Sequence, residues 1–187
     1  MWAIVTDNSI KEIIKNPKPL VIGTVQYPKN IFGQWTVNQL KSVGIYPVTI
    51  DTTNYKDSEW YTNTEVTYAI DGTEVKGTYG TATAKVLTDV LYTADDETDG
   101  LGTEGSIKTA GLKTEYKRRI NANANSLLQE TDWYALRAAD GGTAVPSNIA
   151  TYRAAIRTKA NEHTTAIDNA SDVDALAALT YDWPTAP

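Results

Sequence analysis

The chain has no cysteine, and only one histidine, one methionine and one phenylalanine among 187 residues. Without thiols there is no disulfide and no thiolate metal site, and the redox compartment leaves no mark on the composition. A metal site built on the lone His163 would need carboxylate partners brought in by folding, and no spacing supplies them. No apolar run approaches the length of a membrane span, so no membrane insertion is expected. The first residues, Met1 to Asp7, lack a basic n-region and a cleavage pattern, which predicts a protein made and used without export. The net charge of −6 argues against a nucleic-acid surface, which requires a basic patch. Gly-x-Ser-x-Gly is missing, and Gly105-Ser106 has no glycine two residues on. Gly77 to Gly80 and Gly100 to Gly102 lack the lysine and the strand-to-helix context of a phosphate loop. Nothing is therefore nominated as a catalytic residue, cofactor contact or metal ligand.

What is present divides by position. Eleven Tyr and five Trp against one Phe favour half-buried rings whose polar tips reach water or backbone, as on sheets and at interfaces. The first 88 residues read as an antiparallel β-rich module. Trp2 to Thr6 and Ile10 to Ile14 flank Asp7-Asn8-Ser9 as a hairpin, and Gly23 marks a second reversal or a bulge between Leu20 and Tyr27. Thr36 caps a short helix, Val37 to Val43, with Val37 and Leu40 inward and Gly44 as its stop. Ile45 to Asp51 is a strand that Pro47 demotes to an edge. Asp71-Gly72 predicts a type I′ turn between Thr64 to Ile70 and Thr73 to Tyr79. Seven aromatic residues of this half (Trp35, Tyr46, Tyr55, Trp60, Tyr61, Tyr68, Tyr79) exceed what one sheet face hides, which predicts exposed rings unless the loop from Thr52 to Asn63 covers them.

Residues 89–110 turn acidic and Gly-rich, with no Lys or Arg before Lys108, and read as a mobile linker. Within it Asp95, Glu97, Asp99 and Gly100 fit positions of a calcium loop, but Ser106 stands where the bidentate Glu belongs, so a solvated linker is the expectation. Residues 111–187 read as a helical module, which makes the fold class α+β. Leu112, Tyr116, Ile120, Ala124, Leu127 and Leu128 share one helical face. Ile149, Tyr152, Ile156, Ala160, His163 and Ile167 form a stripe on a second long helix, Ser147 to Asp168, with His163 as a packed, hydrogen-bonded residue. Ser171 to Asp174 begins a final short helix through Leu179.

Between the long helices, Thr131 or Asp132 caps a fresh start, Trp133 is expected as a buried anchor against Leu128, Tyr152 and Ile156, and Gly141-Gly142 is the stop. Arg153 and Arg157 lie one turn apart, and Asp132 or Asp140 is placed to answer them across the loop. A ligand-gripping role for the same arginines is the other reading.

Leu127, Leu128, Thr131, Asp132, Trp133, Arg137, Pro146, Tyr152, Arg153 and Arg157 together resemble the C-terminal module of bacteriophage tail-fibre-associated proteins. The likeness covers about residues 112–170 and departs from that pattern between Arg137 and Pro146. Tyr27-Pro28, Asn30-Ile31-Phe32 and Gly44 to Val48 are similar to proteins of tailed phages of aquatic bacteria. The resemblance implies a non-enzymatic structural protein of a tailed-phage virion, associated with the tail fibre or baseplate and working as a homo-oligomer through protein–protein contact. It assigns Trp133, Asp132, Arg137, Tyr152, Arg153 and Arg157 as interaction or anchor residues. A tail-fibre assembly chaperone is the alternative. A glycan-cleaving enzyme would need two facing carboxylates, and no such pair is evident.

Overall fold

The computed structural model describes residues 1–187, and the chain divides into two units, Met1–Thr83 and Ala84–Pro187. In the first, β1 (Trp2–Thr6) returns as β2 (Ser9–Ile14) through Asp7 and Asn8 at φ 52° and 55°. Asp and Asn tolerate that left-handed backbone. Next, β3 (Leu20–Ile22) and β4 (Val25–Tyr27) form a separate hairpin around Gly23. The reading from sequence contained no helix at α1 (Ile31–Gln34), whose four residues are too few for periodicity to register.

The next helix, α2 (Val37–Ser42), starts as expected at Thr36: its hydroxyl accepts from Gln39 N, while Gln39 Oε1 accepts from Thr36 N at 2.8 Å. Leu40 is buried but Val37, expected inward, is exposed, because six residues present a single turn to the core.

Then come β5 (Ile45–Asp51), β6 (Tyr61–Thr62), β7 (Val66–Asp71), β8 (Glu74–Tyr79) and β9 (Thr83–Ala84), the short β6 pairing with β9. The main sheet runs β2-β1-β5-β8-β7. It is mixed, because β5 pairs antiparallel with β1 and parallel with β8. Far from lying at an edge, β5 is the middle strand, and the stagger of its neighbours explains how Pro47 is tolerated. Val48 N donates to Met1 O, so Pro47 and Trp2 are a non-hydrogen-bonded pair. The β8 ladder begins only at Val48. The missing N–H of Pro47 thus interrupts neither ladder.

The β7–β8 turn also differs from expectation. Asp71 pairs with Glu74, so the turn residues are Gly72 and Thr73. Only Gly72 has positive φ, 60°, the pattern of a II′ rather than a I′ turn.

Both faces of this sheet are used. On one, Trp2, Ile4, Ile14 and Ile45 pack with Leu20, Ile31 and Leu40, and the Trp2 and Phe32 rings lie 5.8 Å apart. On the other, Ala3 and Val75 are fully buried. The register places Tyr46, Ile50, Tyr68 and Gly77 on that same face. A Cβ on Gly77 would meet the Ile50, Val66 and Tyr68 side chains within 3 Å, so a larger residue there would require these side chains to shift. The sheet curls enough that β2 and β7, its two edges, approach within 8 Å without forming a ladder. This curl, with the loop from Thr52 to Asn63, overturns the expectation of exposed rings. Tyr55 and Tyr79 meet at 5.0 Å, Asn54 Nδ2 donates to Tyr79 O, and of the seven aromatic residues only Tyr55 is exposed.

In the second unit, residues 89–110 are not a linker. They form β10 (Val90–Leu91), α3 (Ala94–Thr98) and β11 (Ile107–Thr109), an antiparallel hairpin with a helical turn at its tip. Lys108, just past the acidic run, supplies the countercharge. Its Nζ donates to Asp96 Oδ1 at 2.7 Å and lies over the Tyr92 ring, while Asp96 Oδ2 accepts from Thr93 N and Oγ1. Lys108 foremost, then Thr93, holds the Asp96 carboxyl down at about 2. Because α3 is helical, Asp95 and Glu97 diverge around its axis and do not converge as calcium ligands would.

The long helix α4 (Leu112–Gln129) has no side-chain cap of its own at Gly111. The root of the hairpin caps it instead. Val86 O and Leu87 O accept from Leu112 N and Lys113 N, and Asp89 accepts from Gly111 N and Thr114 Oγ1. The Gly111 N–H, then the Thr114 hydroxyl, hold the Asp89 carboxyl below its usual range. The chain continues through α5 (Asp132–Ala139), α6 (Ser147–Asn169) and α7 (Val173–Ala177). The expected stripe of α6, from Ile149 to Ile167, is buried throughout and packs on Tyr116, Ile120 and Ala124 of α4. Asp172, rather than Ser171, caps α7, and that helix ends at Ala177.

Two outcomes test this account. A Cβ at Gly111 would lie 2.3 Å from the Thr88 carbonyl carbon, so Gly111→Ala should cost roughly 1–3 kcal/mol in urea denaturation. For Asp96 the folded value lies below the ordinary ~3.9, so its ionised form stabilises the hairpin fully above that pH and progressively less as pH falls towards 2. Hydrogen-exchange protection of the Tyr92 and Gly105 amides should fall across that window, and Asp96→Asn should abolish the pH dependence.

Candidate functional site

The residues that the sequence singles out lie on α5 (Asp132, Trp133, Arg137) and on the first half of α6 (Tyr152, Arg153, Arg157). The C-terminal end of α4 leaves carbonyls without helical partners. One of them, Leu128 O, accepts from Thr131 Oγ1 and from Arg153 Nη1 at 2.8 Å. Arg153 Nη1 also donates to Thr131 Oγ1 at 2.7 Å, and Nη2 to Asp132 Oδ1 at 2.8 Å. The Arg153 side chain is only 12 % exposed. The guanidinium fork thus ties the end of α4, the start of α5 and the second turn of α6 at one point. Asp132 answers Arg153, as expected. Asp140 joins no ion pair, and Arg157 contacts only the Arg153 carbonyl, at 3.4 Å.

Trp133 departs most from expectation. It is 50 % exposed, not buried against Leu128, Tyr152 and Ile156. At this junction it is Thr131 and the Arg153 fork, not the indole, that are largely withdrawn from water. Tyr152 is buried in the α6 stripe, where it serves the core. The Trp133 ring lies on Tyr134 with centroids 3.7 Å apart, and the Arg137 guanidinium sits 4.8 Å above Trp133 and 5.5 Å above Tyr134. Arg137 Nε is shielded from solvent and has no hydrogen-bond partner.

One turn beyond Trp133, Leu136 is 66 % exposed, and no residue of α5 is buried. Its end is sharply defined. Gly141 has φ 80°, its N–H reaches Ala138 O, and Gly142 N donates to Arg137 O at 3.0 Å. Leu136 and Tyr134 went unnoticed in the sequence, although Leu136 lies at i+3 from Trp133 with nothing on that helix to bury both.

His163 is packed, as expected. It is buried, its Nε2–H donates to Asp182 O at 2.8 Å, and the Tyr181 and Trp183 rings meet it edge-on at 5.3 Å. Lys159 reaches Asp182 at 3.1 Å and fastens the same strap. The Tyr181 hydroxyl has no partner, and burial pushes its pKa up. No group of three or more His, Asp or Glu gathers with metal-holding geometry. On α5 the exposed Trp133 and Leu136 lie beside the Arg137 guanidinium. Comparison with protein-family models, curated proteins and solved structures finds no match to this chain.

Arg153→Ala strips Leu128 O and Thr131 Oγ1 of a charged donor and should cost about 2–3 kcal/mol, while Arg153→Lys should restore less than half. Trp133→Ala should cost under ~1 kcal/mol, in keeping with a half-exposed ring. Chemical denaturation of the three variants checks both statements.

Proposed function

We propose that this protein is a structural component of a tailed-phage virion, held at the tail fibre or baseplate, and that it works by protein–protein contact rather than by catalysis. The residue pattern from Leu127 to Arg157 supports the phage assignment by its likeness to tail-fibre-associated proteins. The observation that carries the mode of action is α5, a helix clamped at its start and capped at its end that buries none of its own side chains and presents Trp133 and Leu136 to solvent. Rigid, exposed aromatic residues beside arginine are the composition of binding hot spots, because they bring large contact area at small entropic cost.

Quantitative mass spectrometry of purified virions should find the protein at a fixed copy number relative to fibre and baseplate proteins. Co-sedimentation with those proteins should weaken roughly tenfold or more on Trp133→Ala. Binding to the fibre together with absence from the particle would assign the assembly-chaperone role. Absence from the particle with no binding to any tail protein would overturn the proposal.

A further inference from the structure

Arg137 of α5 and Arg157 of α6 have no carboxylate partner, and the exposed Asp140 at the end of α5 joins no ion pair either. Arg137 lies over Trp133 and Tyr134, and Arg157 lies one turn along α6 from the Arg153–Asp132 pair with only a carbonyl contact. An occupant with an apolar anchor for Trp133 and Leu136 and with free carboxylates would answer both the apolar face and the two arginines. The tip of the β10–β11 hairpin has that composition. Leu101 is 59 % exposed, and Asp95, Asp99 and Glu104 around it are exposed and in no ion pair. The anchor is held in place, since Leu101 N donates to Asp96 O and Gly105 N to Tyr92 O.

The two features are rooted at opposite ends of one helix. The hairpin holds the first turn of α4 through Val86, Leu87 and Asp89, whereas α5 leaves from its last turn. Eighteen residues of α-helix separate them, about 27 Å. Complementary patches at the two ends of a rod suit the next molecule rather than the same one. They make a head-to-tail contact that closes a ring or extends a filament.

We infer that the partner of the α5 face is the acidic, Leu101-bearing hairpin tip of a second copy of this chain, so that copies associate head to tail. This deepens the proposed function, resting on its reading of α5 as a contact surface, and names one occupant of that surface. Most of the attraction is between exposed charges, so association should weaken as salt rises.

Sedimentation velocity of the full chain over a concentration series at low and high salt tests the inference. Wild type should associate at low salt. Two variants should not: Arg137→Glu with Arg157→Glu, and Asp95→Lys with Asp99→Lys and Glu104→Lys. Each should weaken self-association at least about tenfold. Mixed together, the two variants carry opposite charges on facing patches and should associate again, which a merely misfolded variant would not do. Circular dichroism checks that both remain folded. A wild type that stays monomeric, or variants that associate like wild type, would overturn the inference. A monomer whose binding to fibre or baseplate proteins still depends on Trp133 would overturn it while leaving the proposed function standing.

Discussion

A single guanidinium, that of Arg153, holds the helical unit in its particular form. The end of α4, the turn at Thr131 and the first residue of α5 all present oxygen atoms, and hydrogen bonds from one planar, permanently charged fork meet all three. An apolar residue could fill the same volume but would leave Leu128 O and Thr131 Oγ1 without their charged donor in a place shielded from water. The consequence reaches beyond stability. With the junction closed by polar chemistry, the indole of Trp133 is not needed in the core, and α5 lies on the outside with its apolar side uncovered.

A comparable exchange of roles occurs at the other end of α4. Helix N-termini usually take a cap from the preceding side chain, but here a glycine stands at that position and the irregular segment just before β10 supplies the acceptors. The glycine is required because Thr88 approaches too closely for any side chain. The hairpin of residues 89–110 is consequently tied to the helix that follows it, and its acidic tip is carried on an ordered stem rather than a loose tether.

Much of this architecture was legible in the residues. Asp7-Asn8, Thr36, the α6 stripe from Ile149 to Ile167, Gly141-Gly142 and the α+β division are local signals, each expressed within a few residues of the sequence that encodes it. What misled were features whose meaning depends on distant partners. Pro47 signals an edge only if both flanks of the strand need its N–H, and the offset between β1 and β8 removes that need. The acidic run 89–105 signals disorder only while Lys108 and the start of α4 are left out. Trp133 signals a core only if nothing else fills the junction, and Arg153, twenty residues on, does so. Of the residues singled out for the site, Asp132 and Arg153 pair as read. Arg137 and Trp133 belong to a stacked surface group, Tyr152 to the core, and Arg157 to the rim.

The position of β5 has a consequence for how the first unit assembles. Its two flanking partners are each half of a local hairpin, β1 with β2 and β7 with β8, whose strands are joined by two-residue turns. Such hairpins close in microseconds, whereas the parallel register of β5 on β8 spans the intervening loop, β6 and β7 and carries the larger entropy of closing a long segment. β5 is thus the keystone laid between two prefabricated arms, and its first half, Ile45 to Pro47, seats against one arm while its second half, Val48 to Asp51, seats against the other. Docking of that one strand closes much longer segments than either hairpin does, so substitutions in the two turns should alter the folding rate less than substitutions along β5.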